Sequence, residues 1–144
     1  MSAALTQPAA FWKAAREGRF VLPACGGCGR VRAFPVVRCH VCRSTDQNWV
    51  EGPREGRLYS WTTTWRVLHP RFSAVPFRVG LVELDVEGQD AVLFVSAMPA
   101  EPADDELAVG QRVVLEFTGL PDGRRAPVFA PVFVMAADGG RTCT

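Results

Sequence analysis

The chain has 144 residues, 48% of them hydrophobic, and a net charge of +1, enough for one ordinary domain or a small module joined to a larger one. No stretch approaches the roughly 20 apolar residues that cross a bilayer, and Met1-Ser2-Ala3-Ala4 lacks the basic-then-apolar pattern of a secretory signal. Residues 1–57 carry nine Lys/Arg against four Asp/Glu (+5) and residues 58–144 carry seven against eleven (−4), an imbalance that argues against a chain coating nucleic acid; it fits a local anionic partner or a solvated basic face.

Residues 8–17 read as a short helix, with Thr6 or Gln7 as its cap, Pro8 in the first turn and Gly18 as its stop. Phe11, Trp12 and Ala15 group on one side. So short a helix is marginal alone in water, so it must dock on its own domain or on a partner.

Cys25, Cys28, Cys39 and Cys42 form two C-x2-C pairs ten residues apart, the spacing of two rubredoxin-like knuckles closing on one tetrahedral metal. Four soft thiolates suit zinc, and iron is the rival in a rubredoxin-type site. Gly29 follows the first pair, where a knuckle favours a residue tolerant of positive φ. A closed four-thiolate shell leaves no position for substrate, so the metal is expected to be structural. Disulfides between these cysteines are the other option, but metal spacing points to a reducing cytoplasm. Cys143, in a polar tail, reads as a free thiol. The module spans residues 20–50 and is too small to stand without its metal.

Residues 51–57 are polar, rich in Gly and Pro, and read as a linker or turn. From Leu58 the pattern becomes strand-like. Leu58–Val67 alternates, with Tyr59, Trp61, Thr63, Trp65 and Val67 on one face and Leu58, Ser60, Thr62 and Thr64 on the other. Further strands are expected at Phe77–Val86, Asp90–Met98, Arg112–Thr118 and Pro127–Ala136, the last with Pro131 at an edge or bulge. Five strands of this size fit a small closed barrel of the OB type better than an open sandwich. The expected organisation is therefore mainly β: an N-terminal helix (1–19), a rubredoxin-like zinc ribbon (20–50), a five-stranded OB-fold (51–136) and a flexible tail (137–144).

No catalytic constellation stands out. His40 lies between metal cysteines and His69 precedes Pro70, neither with a nucleophile beside it. Ser60 and Ser96 fall in strand patterns, and the acidic run Asp104-Asp105-Glu106 reads as a solvated loop. The chain therefore reads as a binding or scaffolding protein. Its aromatic and basic residues near the first barrel strands (Trp61, Trp65, Arg66, Arg71, Phe72, Phe77, Arg78) suit a phosphate attached to an aromatic base. The same set serves single-stranded nucleic acid on an OB-fold, or simply fills the barrel and its solvated rim.

Phe11-Trp12, Gly18-Arg19-Phe20, Cys25-x2-Cys28-Gly29, Pro35 and Cys39-x2-Cys42, followed by Gly56-Arg57-Leu58-Tyr59-Ser60-Trp61-Thr62, Pro76-Phe77, Val82-Glu83-Leu84 and Val109-Gly110-Gln111-Arg112-Val113, resemble a family that joins a rubredoxin-like zinc ribbon to an acyl-CoA-associated OB-fold, the domain of unknown function number 35. The likeness covers residues 9 to 134; it departs at Cys39-His40-Val41-Cys42-Arg43, which lacks the Pro and Gly often found in the second knuckle. The resemblance implies an accessory subunit that binds a thiolase-type or lipid-transfer-protein-like acyl-CoA enzyme and helps hold the CoA thioester, with zinc as its structural ion. On that reading Arg66, Arg71, Phe77 and Arg78 are the candidate CoA or acyl-CoA contacts, the catalytic residues belong to the partner, and no membrane is involved. A single-stranded nucleic-acid-binding ribbon and barrel is the alternative, with an iron-bearing electron carrier behind it; the net negative barrel half argues against nucleic acid.

Overall fold

The structure is a computed structural model that describes residues 9–67, 70, 75–101, 103–119, 123, 125–131, 133–135 and 141–143. Helix α1 spans Ala9–Arg16 and buries Ala14 and Ala15. It ends where expected: Gly18 takes φ +75, its N–H donates to Ala15 O, and the Arg19 N–H reaches back to Ala14 O. That paired closure at a left-handed glycine satisfies two orphan carbonyls. The expected cap residues lie outside the described residues.

Two strands that the sequence did not announce follow. β1 (Val21–Cys25) pairs antiparallel with β2 (Gln47–Glu51), and this hairpin carries the cysteine-bearing loops between its strands. All of β1 is buried, so it lacks the alternation that marks a half-exposed strand. The segment read as a linker, 51–57, is shorter in fact: β2 runs through Glu51 and β3 (Glu55–Thr64) already begins at Glu55. Gly56 and Arg57 pair with Val113 and Arg112, so half of that segment is barrel wall.

β3, β4 (Phe77–Leu84), β5 (Val92–Met98), β6 (Arg112–Gly119) and β7 (Arg125–Pro131) close into a barrel of order β3-β4-β5-β7-β6, with β6 returning to β3. Neighbours are antiparallel except β5 and β7, which meet in parallel at Ala97 and Val128. This is the five-stranded OB-fold barrel the strand count predicted, and closure leaves it without a free edge. Beyond it, β8 (Phe133–Met135) pairs with β9 (Arg141–Cys143). Of the expected tail, residues 137–140 and 144 lie outside the described residues, and Arg141–Cys143 form β9.

The alternation expected along β3 is interrupted. The register shifts between Leu58 and Ser60, so Tyr59 bulges and the phase flips. Leu58 is buried, Trp61 packs against the same core, and Tyr59 is left half exposed. One core serves both modules: Phe20 and Leu22 of the ribbon lie with Leu58, Val82, Leu84 and Phe94 of the barrel. The Phe20 and Phe94 rings meet edge to face at 5.1 Å. Gln89, in the β4–β5 turn, clamps the ribbon by accepting from the Val31 N–H and donating to its carbonyl. The ribbon is therefore part of the barrel's fold and not an independent bead on a linker.

Candidate metal centre

Each cysteine pair sits in a knuckle whose backbone repeats the other. Gly29 N–H donates to Cys25 O and Arg43 N–H to Cys39 O; Cys25 N–H donates to Arg30 O and Cys39 N–H to Ser44 O. The fifth position needs positive φ, and Gly29 has +76 there while Arg43 is held at +67. A non-glycine residue in that region costs about 1 kcal/mol or more; the second knuckle keeps its shape without the residues that usually favour it. The knuckles meet so closely that a Cβ on Gly27 would lie 2.9 Å from Ser44 Cβ and 3.0 Å from Cys42 Sγ.

This packing converges the four sulfurs. All Sγ atoms lie within 4.8 Å of one another, with Cys25 and Cys42 at 3.4 Å and Cys28 and Cys39 at 3.7 Å. Thiolates about 2.3 Å from a central zinc would stand about 3.8 Å apart at the corners of a tetrahedron. The donor set and its spacing fit that ion. Cys25 and Cys39 are buried while Cys28 and Cys42 reach the surface, so one side of the site is sealed and the other faces solvent.

Electrostatics point the same way. The Cys28 and Gly27 N–H groups aim at Cys25 Sγ, from 3.5 and 3.3 Å. Led by the Cys28 donor, they outweigh burial and lower the Cys25 thiol to about 6. The Cys42 N–H and then the Val41 N–H lower Cys39 in the same way. At Cys42 the Ser44 N–H favours the thiolate, but the Cys25 sulfur, burial, and then Cys28 and Cys39 overcome it and push the thiol up to about 11. Without a cation the cluster cannot hold four negative charges; a divalent ion removes that conflict.

The candidate ligand contacts are scattered. Arg66 is exposed just beyond β3, beside Trp65, which is 72% exposed; Phe77 is half-buried at the start of β4, opposite Thr64. Arg71, like Phe72 and His69, lies outside the described residues. Arg78 is different: it is 2% exposed, and its guanidinium donates to Asp104 (2.8 Å), to Pro99 O (2.9 Å) and to Thr63 Oγ1 (3.4 Å). Its three bonds tie the loop after β5 to the barrel wall, so it is engaged inside the protein and not at a phosphate-facing rim. The signal was in the strand: Arg78 shares its phase with Gly80, Val82 and Leu84, the buried face of β4.

Asp104 is correspondingly no idle member of an acidic run. The Thr63 hydroxyl and then Arg78 hold its carboxyl below the usual value of 3.8. A depressed folded-state value means this contribution is complete above about pH 4 and is lost as pH falls through it. Urea unfolding followed from pH 6 to pH 2 should show stability declining below about pH 4, with a shallower decline in Asp104→Asn; equal acid limbs would contradict the tie.

Among the described residues no helix is long and apolar enough to cross a membrane. Comparison with known proteins places this geometry. A family model described as the ChsH2 rubredoxin-like zinc ribbon domain matches residues 12–47, and one described as the ChsH2 C-terminal OB-fold domain matches residues 49–118. A protein of Thermomonospora curvata named "Probable enoyl-CoA hydratase alpha subunit" is 33% identical over 129 residues, 89% of this chain. The chain spans 39% of the length of that curated relative. A solved structure described as the Ltp2-ChsH2(DUF35) aldolase holds a chain 31% identical, aligned over 91% of this chain and 98% of that one, with a TM-score of 0.73.

Proposed function

This chain belongs to the ChsH2 (DUF35) family of zinc-ribbon and OB-fold proteins, and from that premise we propose that it is a non-catalytic, zinc-carrying accessory subunit of a thiolase-type acyl-CoA enzyme. The observation that carries the reading is the near-complete overlap with a chain of an aldolase whose description has two parts, Ltp2 and ChsH2. The zinc ribbon shapes a rigid platform, and the chemistry belongs to the partner. Residue chemistry supports this. His40 is exposed within a knuckle, and Ser96 donates its hydroxyl to the Ala97 carbonyl, which is an acceptor and not a base.

The ligand in this reading is a CoA thioester shared with the partner. Arg66, next to Trp65 in sequence and two residues beyond the Thr64 that pairs with Phe77, supplies a cation, and the two rings supply flat apolar surfaces, suited to a nucleotide phosphate and base. Arg71 stays in the candidate set on its sequence alone. On the ribbon, half-buried Arg32 has Nε and Nη2 buried without an acceptor; donors left unpaired are costly, which supports an anionic group of the ligand or partner coming to that side. Reduced thiolates in the ribbon fit a cytoplasmic setting.

The curated relative's hydratase name supports a second reading, in which the enzyme served is a hydratase. Purifying the chain from its own source and identifying the proteins that co-elute separates the two. A thiolase-fold subunit at fixed stoichiometry supports the first, a hydratase-fold subunit the second, and a lone monomer contradicts both.

A further inference from the structure

The four sulfurs of the ribbon do not face the same surroundings. Cys28 and Cys42 are exposed, one on each knuckle, while Cys25 and Cys39 are buried. Each exposed sulfur lies against a buried sulfur of the opposite knuckle. Cys28 Sγ is 3.7 Å from Cys39 Sγ, and Cys42 Sγ is 3.4 Å from Cys25 Sγ. An accessible thiolate with a second one poised behind it is the arrangement of an oxidant-sensitive pair. A shift of about 1.5 Å brings either pair to bonding distance.

Cys28 also lines a hollow of about 260 Å³ between the first knuckle and the β4–β5 turn, shared with Arg30, Val41 and Glu87. A water takes about 30 Å³, so a small hydroperoxide has room beside the sulfur. Arg30 is held only loosely, 4.0 Å from an Asp90 that is itself 98% exposed. Its charge can therefore steady the hydroxide that leaves when a peroxide is attacked. The knuckle backbone favours pairing across the site. The Gly27 and Cys28 N–H groups aim at Cys25 Sγ, and a bond from Cys25 to Cys28 would pull that sulfur off its donors and untie one knuckle from the other. The crossed pairs join positions 11 and 17 apart and keep the knuckles together, as the ion does.

We propose that Cys28 with Cys39, and Cys42 with Cys25, form an oxidative modification site at which a hydroperoxide converts the four thiolates into two crossed disulfides. The Cys28 thiolate attacks one peroxide oxygen; an S–O bond forms, the O–O bond breaks and hydroxide leaves. The Cys39 thiolate then attacks the Cys28 sulfur, forming the S–S bond and expelling a second hydroxide. Cys42 and Cys25 repeat both steps with a second peroxide. Each pair gives up two electrons, and each peroxide is reduced to two hydroxides that solvent protonates to water. No thiolate then remains to hold a divalent ion, and the charge of the site changes from about −2 to neutral. The inference does not depend on which enzyme the chain serves.

The test uses the zinc-loaded full chain carrying Cys143→Ser, which leaves the four ribbon cysteines. Excess hydrogen peroxide is added while a coloured chelator reports free zinc; remaining thiols are then alkylated under denaturing conditions and the product is cut with trypsin. Cleavage after Arg19, Arg30, Arg38 and Arg43 yields one peptide with Cys25 and Cys28 (20–30) and another with Cys39 and Cys42 (39–43). Zinc per chain should fall from one to near zero, with two peroxides consumed per zinc, and the two peptides should appear as one linked mass. Partway through release, Cys28 and Cys39 should be protected from alkylation while Cys25 and Cys42 are still labelled. Reductant with added zinc should restore the separate peptides and the metal. Two unlinked peptides, each with its own internal disulfide, would overturn the crossed pairing. Zinc retained under peroxide, or lost only with sulfonic acids, would overturn the site.

Discussion

Replacing Cys39 by serine is expected to release the metal and to cost the whole chain its cooperative fold. A structural zinc supplies on the order of 10–16 kcal/mol of apparent folding free energy, against a net stability of about 5–15 kcal/mol for an entire domain. Cys39 is 2% exposed, and serine offers neither a thiolate nor an acceptable thiolate substitute for a sealed tetrahedral shell. The damage does not stop at the ribbon. Phe20 and Leu22, adjoining the first knuckle, are among the most buried side chains of the core they share with the barrel. Withdrawing each costs about 1.5–3 kcal/mol of burial, and Gln89 loses both of its ribbon hydrogen bonds. Zinc per chain should fall from one to near zero, and the thermal transition should drop by more than about 20 °C or vanish, since each kcal/mol is worth several degrees in a chain of this size. A barrel that melts at the wild-type temperature without its metal would contradict the shared core.

Replacing Arg78 by alanine is expected to cost about 3–4 kcal/mol, a shift of roughly 10 °C in the thermal midpoint. The side chain is 2% exposed, and its loss leaves a cavity at the end of β4 and frees the Pro99 carbonyl and Asp104 that it holds. Arg78→Met keeps most of the volume and should cost clearly less, because little cavity opens and Asp104, 45% exposed, can turn to water. Affinity of the partner complex for acyl-CoA should change little in Arg78→Met. The opposite pattern, unchanged stability with lost CoA affinity, would return Arg78 to the ligand set in which the sequence first placed it.

That contrast shows where sequence reading runs out. The cysteine spacing singled out the four side chains whose sulfurs the fold brings within 4.8 Å of one another, and turn residues such as Glu87-Gly88-Gln89 bounded the barrel strands well enough to count five. Charge was the poorer guide. Arg78 and Asp104 are 26 positions apart, and the β4–β5 pairing, which sets Arg78 opposite Met98 at the start of the Asp104 loop, brings them within 2.8 Å. The bulge at Tyr59 flips the phase of half a strand without any glycine to announce it. β1 escaped notice because it is buried on both sides and carries Pro23, so neither alternation nor composition marked it. The apolar outer phase of β4 and β5 was legible as hydrophobic residues on both parities of the strand. Sequence alone could not say which parity faced inward, and the answer separates the core from the outer wall of the barrel.

The central claim is that this chain serves another protein's chemistry. The direct test is acyl-CoA turnover by the purified thiolase-fold subunit with and without the zinc-loaded chain, alongside the chain alone. The account predicts turnover at least tenfold faster with both present and none from this chain by itself. Turnover by this chain alone, or a partner rate indifferent to its addition, would contradict it.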